Sequence, residues 1–176
     1  MKIAVIGAGT DAGRGVVRAL CDLGHAVVAT SRNPEKLRGL DPRATTAVFD
    51  IADSTAPAAF LDGVERIVSV AHASTIPALL QRLPAHCERL IVTGSTMRDS
   101  AVPDPRADAV RRGEAAFRQS GVTGSMLHPT MIYGSRNEAN VIRVLRLVDL
   151  WPRWLPLVWP VPDGGRSLVQ PVHIDD

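Results

Sequence analysis

Short apolar runs alternate with longer amphipathic segments along this chain. The run at residues 3–6 is continuously apolar and stops at Gly7, a pattern typical of a strand buried on both faces of a sheet. Five further runs have the length and composition of strands. The predicted strands are residues 3–6, 26–29, 45–49, 66–70, 90–93 and 125–127.

The segments between these strands predict helices. Residues 13–23 carry apolar side chains at helical spacing, and Gly24 follows them as a helix-ending residue. Asn33 before Pro34 indicates a short helix, because asparagine caps a first turn and proline fits its first position. The other predicted helices are residues 54–61, which form a weak candidate, 76–83, 105–117 and 141–148.

Strands that alternate with helices pair in parallel through right-handed crossovers. We therefore expect an α/β protein with a doubly wound parallel sheet, the Rossmann fold. In such a sheet the ligand crevice lies at the carboxyl ends of the strands, here between the first and the fourth.

A glycine-rich loop, residues 7–13, joins the first strand to the first helix. This position aims backbone N–H groups and a helix N-terminus at a diphosphate. Gly7 is expected to permit the tight turn, Gly9 the approach of backbone to phosphate, and Gly13 close packing of helix on sheet. The spacing is Gly-x-Gly-x-x-x-Gly, not the standard Gly-x-Gly-x-x-Gly. A turn needed for packing alone is the alternative, and Asp11 would repel a diphosphate unless it caps the helix and points away.

The residues after the second strand favour NADP(H) over NAD(H). An acidic residue at this place binds the ribose 2′-hydroxyl of NAD, whereas a basic one accommodates the 2′-phosphate of NADP. Here Ser31 and Arg32 follow the strand, with Lys36 nearby and no acid at the strand end. The guanidinium of Arg32 can hydrogen-bond a phosphate. The alternative is that Arg32 and Lys36 only stand in solvent at the start of a helix. Asp50, after the third strand, is placed to meet the adenine or to cap its own loop.

Composition excludes several other classes of protein. The 176 residues are 45% hydrophobic and 22% charged, unlike a disordered, collagen-like or coiled-coil chain. The net charge of +2 comes with scattered basic residues, so no nucleic-acid partner is expected. No apolar stretch suits a membrane helix or a signal peptide. Cys21 and Cys87 have no metal-ligand spacing and fit a reducing compartment, so we expect a cytoplasmic protein without a metal site.

Several ordered motifs resemble those of the short-chain dehydrogenase/reductase superfamily. They are the glycine loop, residues 31–37, residues 50–51, residues 93–96, residues 128–134, which are similar to Arg-Pro-x-x-x-Tyr-Gly, and residues 170–176. The resemblance covers essentially the whole chain. It indicates the extended or atypical branch, which includes NAD-dependent epimerase/dehydratase-like and NmrA-like NAD(P)-binding proteins. It implies a dinucleotide cofactor and oxidoreductase chemistry.

The catalytic Tyr-x-x-x-Lys pair of this superfamily is absent. Glu114 resembles the acidic residue that follows the motif, which puts Arg106 at the tyrosine place and Val110 at the lysine place. The usual proton transfer therefore has no phenol and no ammonium. A cofactor can still carry the hydride chemistry while the protein orients the substrate.

Three other residues are candidate catalytic groups. Ser95 matches the serine that the family has after its fifth strand and would orient a substrate carbonyl. His72, beside the expected nicotinamide ribose, could exchange a proton or only narrow the pocket. Tyr133 would line the substrate side or pack as a core aromatic. His128 replaces the family arginine before proline and is either a structural histidine or part of the cofactor site.

The predicted cofactor site is spread over the carboxyl ends of the strands. Its residues are Gly7, Gly9, Thr10, Asp11, Ala12, Gly13, Ser31, Arg32, Lys36, Asp50, Ile51, Ala71, His72, Thr93 and His128.

Two regions are expected along the chain, a dinucleotide-binding domain at residues 1–135 and the start of a substrate-binding region at 136–176. The tryptophan- and proline-rich segment 151–159 has three alternative roles. It would form the floor of a substrate pocket, pack on the sheet as a hydrophobic lid, or contact another copy of the chain or another protein. Because similar proteins continue after the motif at 170–176, the chain is expected to be a fragment or a truncated form of a longer protein.

The leading hypothesis from the sequence is an NADP(H)-binding oxidoreductase acting on an unknown small molecule. One alternative is a dinucleotide-sensing or assembly protein without turnover, because the Tyr-x-x-x-Lys pair is absent. The other is a nucleotide-sugar epimerase or dehydratase, which the same absence disfavours.

Overall fold

The structure is a computed structural model that describes residues 1–53, 59–135, 140–152, 154, 164, 166 and 170–176. The chain divides into two compact units, Met1–Pro129 and Thr130–Asp176. Among the described residues, no helix combines the length and the apolar character that a membrane crossing requires.

The first unit contains a six-stranded sheet, and every neighbouring pair of strands is parallel. Its strands, in chain order, are β1 (Lys2–Ile6), β2 (Ala26–Ser31), β3 (Thr45–Val48), β4 (Arg66–Ser69), β5 (Arg89–Thr93) and β6 (Gly124–Leu127). The spatial order is β3-β2-β1-β4-β5-β6. This is the doubly wound α/β architecture that the alternation of strands and helices predicts.

The sheet is covered by helices, which in the described residues of this unit are α1 (Asp11–Asp22), α2 (Ile76–Leu80) and α3 (Pro105–Gln119). Alternate residues of β1 face opposite sides. Ala4 and Ile6 belong to one core together with residues of α2 and α3, whereas Val5 packs with Val17 of α1 in a second core. Both faces of β1 are therefore buried, as its continuous apolar run predicts.

Local sequence explains where these helices end, with one difference from prediction. α1 ends before Gly24, whose φ of +77° lies in the left-handed region that glycine tolerates. α2 stops at Leu80, although the pattern predicts a helix to residue 83. Residues 81–82 form a turn instead, and Pro84 disfavours helical backbone only in Leu83, the residue before it.

Two predicted helices are not α-helices in the described residues. Pro34–Leu37 is a single 3₁₀ turn, and its predicted cap is present, because Asn33 Oδ1 accepts from the backbone N–H of Glu35 at 2.9 Å. Ala59–Leu61 is also a 3₁₀ turn, and the rest of the weak candidate, residues 54–58, lies outside the described residues.

The described residues of the second unit include a short parallel pair of strands and a helix. β7 (Ile132–Tyr133) pairs with β8 (Val172–His173), and α4 spans Asn140–Leu150. Trp154 is 82% exposed. Most of the tryptophan- and proline-rich segment lies outside the described residues.

Candidate functional site

A cleft of about 470 Å³ opens at the carboxyl ends of β1, β2, β3 and β4. β1 lies between β2 and β4 in this sheet: the chain passes from β1 to β2 on one side, and the crossover after β3 returns to β4 on the other side. Ligands of open α/β sheets bind at this kind of switch point, outside the carboxyl ends of the strands. The cleft is therefore the candidate site of the first unit.

The glycine loop forms the floor of the cleft. Gly7 has a φ of +82°, and a Cβ there would stand 2.9 Å from the backbone nitrogen of Ala71. The backbone N–H groups of Gly7 and Ala8 both donate to the carbonyl of Thr30, at 3.1 and 2.9 Å. The loop is thereby tied to the end of β2 on one side and lies against the end of β4 on the other.

Thr10 is the N-cap of α1. Its Oγ1 accepts from the backbone N–H of Gly13 at 3.0 Å and lies 3.0 Å from the carbonyl oxygen of Gly7, to which it donates. The capping role that the sequence left open for Asp11 therefore belongs to Thr10. Asp11 is the first residue of the helix, where a carboxylate interacts favourably with the helix N-terminus.

Gly9 has the features of a place where backbone meets a ligand. Its N–H has no hydrogen-bond partner among the described residues. A Cβ at this position would stand 2.6 Å from Cβ of Lys36 and 3.0 Å from Oγ of Ser31. The close approach of these two chain segments forms a cradle that a side chain would fill, and the free N–H suits an anionic oxygen.

Gly13 brings the first helix close to the loop. A Cβ there would stand 2.5 Å from the carbonyl oxygen of Gly7 and 2.8 Å from Cα of Ala8. Both neighbours are backbone atoms, which cannot move aside as a flexible side chain can. The close packing of α1 at Gly13 is therefore against the glycine loop, and its predicted packing on the sheet itself stays a prediction.

The segment after β2 provides the basic wall of the cleft. Arg32 and Lys36 are exposed and line it, and buried Ser31 accepts through Oγ from the backbone N–H of Asn33 at 3.2 Å. Arg14 Nη2, on α1, donates to the carbonyl of Lys36 at 2.6 Å and to that of Arg38 at 3.0 Å. The helix that begins at the glycine loop thus holds the turn that carries Lys36.

The segment after β3 provides the far end of the cleft. Phe49 and Ile51 are buried, and Asp50 lines the cleft between them. Asp50 Oδ1 accepts from the backbone N–H of Ala52 at 3.0 Å. The loop-capping alternative for Asp50 is therefore present in the structure, and its contact with an adenine stays a prediction.

The segment after β4 places His72 in the cleft. His72 caps the 3₁₀ turn Ala73–Thr75, because its Nδ1 accepts from the backbone N–H of Ser74 at 3.2 Å. Thr75 Oγ1 donates to the carbonyl of His72 at 2.9 Å. A Cβ on Gly113 of α3 would overlap the carbonyl of Ala73, so α3 packs directly on this turn.

Ser95 lies outside the cleft lining, at the start of the 3₁₀ turn Thr96–Asp99 after β5. Its Oγ accepts from the backbone N–H of Met97 at 3.2 Å, and its carbonyl oxygen lies 3.3 Å from Nδ1 of His128. Arg98 Nη1 lies 3.3 Å from Nε2 of His128 and 2.7 Å from Glu114 Oε1. Because a guanidinium only donates, Nε2 accepts and Nδ1–H donates to Ser95. His128 is thus hydrogen-bonded through both nitrogens, and it orients the Ser95 turn.

Glu114 is the centre of this polar cluster. Its Oε1 accepts from Arg98 and also from Arg118, each at 2.7 Å, and its side chain is only 16% exposed. The hydrogen bond to Glu114 raises the pKa of the Arg98 guanidinium above its usual value. The cluster therefore keeps Arg98 charged beside His128.

The places of the missing catalytic pair hold no substitute for it. Val110, at the lysine place, is 2% exposed and belongs to the core under the sheet. Arg106, at the tyrosine place, is exposed at the start of α3. Neither position offers a group of ordinary acid–base character to the cleft.

Ten of the fifteen predicted cofactor residues line the cleft: Gly7, Gly9, Thr10, Ser31, Arg32, Lys36, Asp50, Ile51, Ala71 and His72. The other five do not line it. Asp11, Ala12 and Gly13 belong to the first turn of α1, Thr93 Oγ1 donates to the carbonyl of Ser69, and His128 contacts the Ser95 turn.

Six lining residues were not predicted: Ile6, Thr30, Asn33, Phe49, Ser74 and Thr75. Ile6, Thr30 and Phe49 stand at or directly after the carboxyl ends of predicted strands, which is a signal that the sequence contains. Ser74 and Thr75 lack such a signal, because they belong to a single 3₁₀ turn after β4.

Tyr133 belongs to the second unit. Its ring meets that of His173 edge to face, with centroids 5.1 Å apart. Gly134 has a φ of +97°, and a Cβ there would overlap the His173 ring. His173 Nδ1 in turn accepts from the backbone N–H of Asp175 at 3.3 Å. In this unit Tyr133 is therefore packed against a histidine.

Fold and cleft together define a Rossmann-type dinucleotide-binding protein, with a glycine loop at the sheet's switch point. A family model described as NADP oxidoreductase, coenzyme F420-dependent, matches residues 2–96, and the chain belongs to this family. The matched residues include the whole cleft lining. No curated protein matches the sequence at a significant level.

Solved structures with the same fold include proteins in complex with NAD+ or NADPH. The chain is similar to the Bordetella bronchiseptica enzyme WbmH in complex with NAD+ (TM-score 0.68, 14% identity, 99% of this chain and 68% of that one). It is also similar to a UDP-galactose 4-epimerase (0.65, 18%, 85% and 63%). A third is the Vitis vinifera leucoanthocyanidin reductase–NADPH complex (0.60, 18%, 75% and 50%).

The chain thus spans about two thirds of the epimerase and half of the reductase. Its fold is that of the NAD(P)-binding Rossmann domains of oxidoreductases and epimerases. The extended or atypical branch, the NmrA-like kinship and the preference for NADP stay predictions.

Proposed function

We propose that this protein is an NADP(H)-binding oxidoreductase of the atypical short-chain dehydrogenase/reductase type, acting on a small-molecule substrate. The observation that carries the proposal is the basic wall made by Arg32 and Lys36, beside a glycine loop with a free N–H at Gly9. No carboxylate stands at the end of β2 to bind a ribose 2′-hydroxyl in their place.

The residues of the cleft fit a dinucleotide. Gly9 N–H and the start of α1 would hold the diphosphate, and Arg32 and Lys36 would hold the 2′-phosphate. Ile51 and Phe49 offer apolar surface to the adenine. A bound nicotinamide supplies the hydride, and the protein supplies binding and orientation.

Removal of Arg32 tests the cofactor preference. For Arg32→Ala we expect a Kd for NADPH at least about tenfold higher, because a charge-assisted hydrogen bond contributes about 1.5–3 kcal/mol. The Kd for NADH should stay within about twofold, since NADH has no 2′-phosphate. Fluorescence titration of NADPH and NADH with the purified protein measures both constants.

Arg38→Ala is the matched control. Arg38 follows the same 3₁₀ turn, does not line the cleft, and pairs with Glu35 at 2.7 Å in solvent. Its removal should leave both constants unchanged. Equal losses for NADPH and NADH in Arg32→Ala would contradict the assigned 2′-phosphate contact, and a parent protein that binds neither dinucleotide would refute the proposed function.

A second candidate is a dinucleotide-binding protein without turnover, acting as a sensor or in assembly. The buried Val110 at the catalytic lysine place favours it. Oxidation of NADPH by the purified protein with quinones, aldehydes or nucleotide sugars would count against this candidate. The free thiols Cys21 and Cys87 support a reducing, cytoplasmic location as part of the main proposal.

A further inference from the structure

The turn after β4 holds a histidine whose two ring nitrogens differ in their surroundings. Nδ1 of His72 accepts from the backbone N–H of Ser74 at 3.2 Å, and Oγ of the same serine lies 3.0 Å away. A backbone N–H can only donate, so Nδ1 carries the lone pair and the ring proton is on Nε2. The capping hydrogen bond thus selects one tautomer.

Nε2 is the nitrogen left for a ligand. It has no hydrogen-bond partner in the described part of the chain, and the exposed ring lines the cleft. The two nitrogens lie on different sides of the imidazole, so Nε2–H is directed away from the turn that Nδ1 caps. His72 therefore offers a hydrogen-bond donor and no free acceptor.

Proton exchange by His72 would disturb the turn that it caps. Acid–base catalysis passes through the imidazolium, in which both nitrogens carry protons. A proton on Nδ1 would stand against the N–H of Ser74 and break the cap. The same turn carries Ser74 and Thr75 into the cleft lining and packs against α3. The geometry therefore favours a histidine that donates through Nε2 over one that exchanges a proton.

The glycine loop separates His72 from the basic wall. The segment after β4 lies against Gly7, where a Cβ would meet Ala71, whereas the segment after β2 lies against Gly9, where a Cβ would meet Lys36. A diphosphate on the loop has one nucleotide on each side. With the 2′-phosphate held by the basic wall, His72 faces the nicotinamide half.

We propose that His72 binds an oxygen of the nicotinamide mononucleotide half of the cofactor through Nε2–H, and that it does not transfer protons. This inference rests on the proposed function, because it assumes a dinucleotide in the cleft. The contact would strengthen the binding of the whole dinucleotide. It would not change the affinity for the adenosine half alone.

Two variants separate the roles of the ring nitrogens. His72→Asn keeps an acceptor near the Nδ1 position, where asparagine is a good cap, and removes the Nε2 donor. His72→Gln places an amide donor near the Nε2 position. Isothermal titration would give the Kd values for NADPH and for 2′,5′-ADP, which is the adenosine half alone.

For His72→Asn we expect a Kd for NADPH about fivefold higher, the effect of one neutral hydrogen bond. Its Kd for 2′,5′-ADP and its Tm should match those of the parent protein. His72→Gln regains a donor near the Nε2 position but lacks the cap, so it should bind NADPH more tightly than His72→Asn and less tightly than the parent.

Other results would overturn the inference. Unchanged NADPH binding in His72→Asn would show that Nε2 makes no contact with the cofactor. Equal losses of affinity for NADPH and 2′,5′-ADP would indicate that the substitution acts through the structure of the turn. A His72→Gln protein as weak as His72→Asn would argue against a donor at Nε2. Failure of the parent protein to bind either ligand would instead refute the proposed function itself.

Discussion

At the scale of single residues, the glycine loop can pack closely because its glycines have no side chain. Gly13 lies against the backbone of Gly7 and Ala8, and Gly9 lies against Lys36 and Ser31. At Gly15, two residues further along α1, a Cβ would have no other atom within 4 Å. Two glycines of one helix thus differ in whether a methyl group can be accommodated.

This contrast predicts opposite effects of the same substitution. Gly13→Ala should lower the free energy of unfolding by about 1–3 kcal/mol, because the new methyl group overpacks against fixed backbone. Gly15→Ala should raise it by up to about 1 kcal/mol, because alanine is the better helix former. Urea denaturation followed by circular dichroism measures both. A Gly13→Ala protein as stable as Gly15→Ala would contradict the close packing of α1 on the loop.

At the scale of elements, α1 holds the turn that carries the basic wall. Arg14 is in the first turns of α1, and its guanidinium bonds two carbonyls of the segment after β2. These contacts place the turn of Lys36 against the glycine loop. The cofactor preference proposed for the protein therefore depends on an arginine that does not itself line the cleft.

Loss of this tie should weaken the binding of NADPH. For Arg14→Ala we expect a Kd about fivefold higher, since freeing the turn costs affinity equivalent to about one hydrogen bond. Arg18→Ala is the control, because Arg18 is exposed one turn later on the same helix. Its Kd should stay within twofold of the parent value. Equal effects of the two substitutions in the same titration would indicate a general loss of positive charge.

At the scale of the whole molecule, an ionic contact joins the end of α1 to the segment before β3. Arg43 Nη2 lies 2.6 Å from Asp22 Oδ1 and 2.6 Å from Asp41 Oδ2. Hydrogen bonds from Arg43 lower the pKa of Asp41 to about 2. The unfolded chain has the ordinary aspartate value near 4. The contact therefore stabilises the folded state above pH 4, and this contribution is lost as the pH falls towards 2.

Arg43→Gln should accordingly lower Tm at pH 6. The difference in Tm between variant and parent should shrink as the pH falls from 4 to 2, because protonation of Asp41 removes the same interaction in the parent. Thermal unfolding across this pH range measures the difference. In an Asp41→Asn background the part due to Asp41 should vanish, and a difference that stays constant from pH 6 to pH 2 in the parent background would contradict the assignment.

The sequence contained enough to predict the sheet and much of the cleft. The strands and the glycine loop have local signatures in the sequence: apolar runs, the spacing of apolar residues and the placement of glycines. For this reason ten of the predicted cofactor residues line the cleft. Arg32 and Lys36 line the cleft as predicted, because the residues after the second strand have a fixed place in such folds, and their contact with a cofactor stays a prediction. Ser74 and Thr75 were missed because a single 3₁₀ turn has no periodic pattern to detect.

The sequence by itself determined the parallel α/β sheet and the position of its crevice, because burial and hydrogen bonding impose a period on neighbouring residues. Only the tertiary structure decided that Nδ1 of His72 accepts from the N–H of Ser74, that Thr10 caps α1, and that His128 faces the Ser95 turn. It also placed Arg14 on the carbonyl of Lys36, 22 residues away. Such contacts depend on how the crossovers and turns bring distant segments together, and no local period encodes that arrangement.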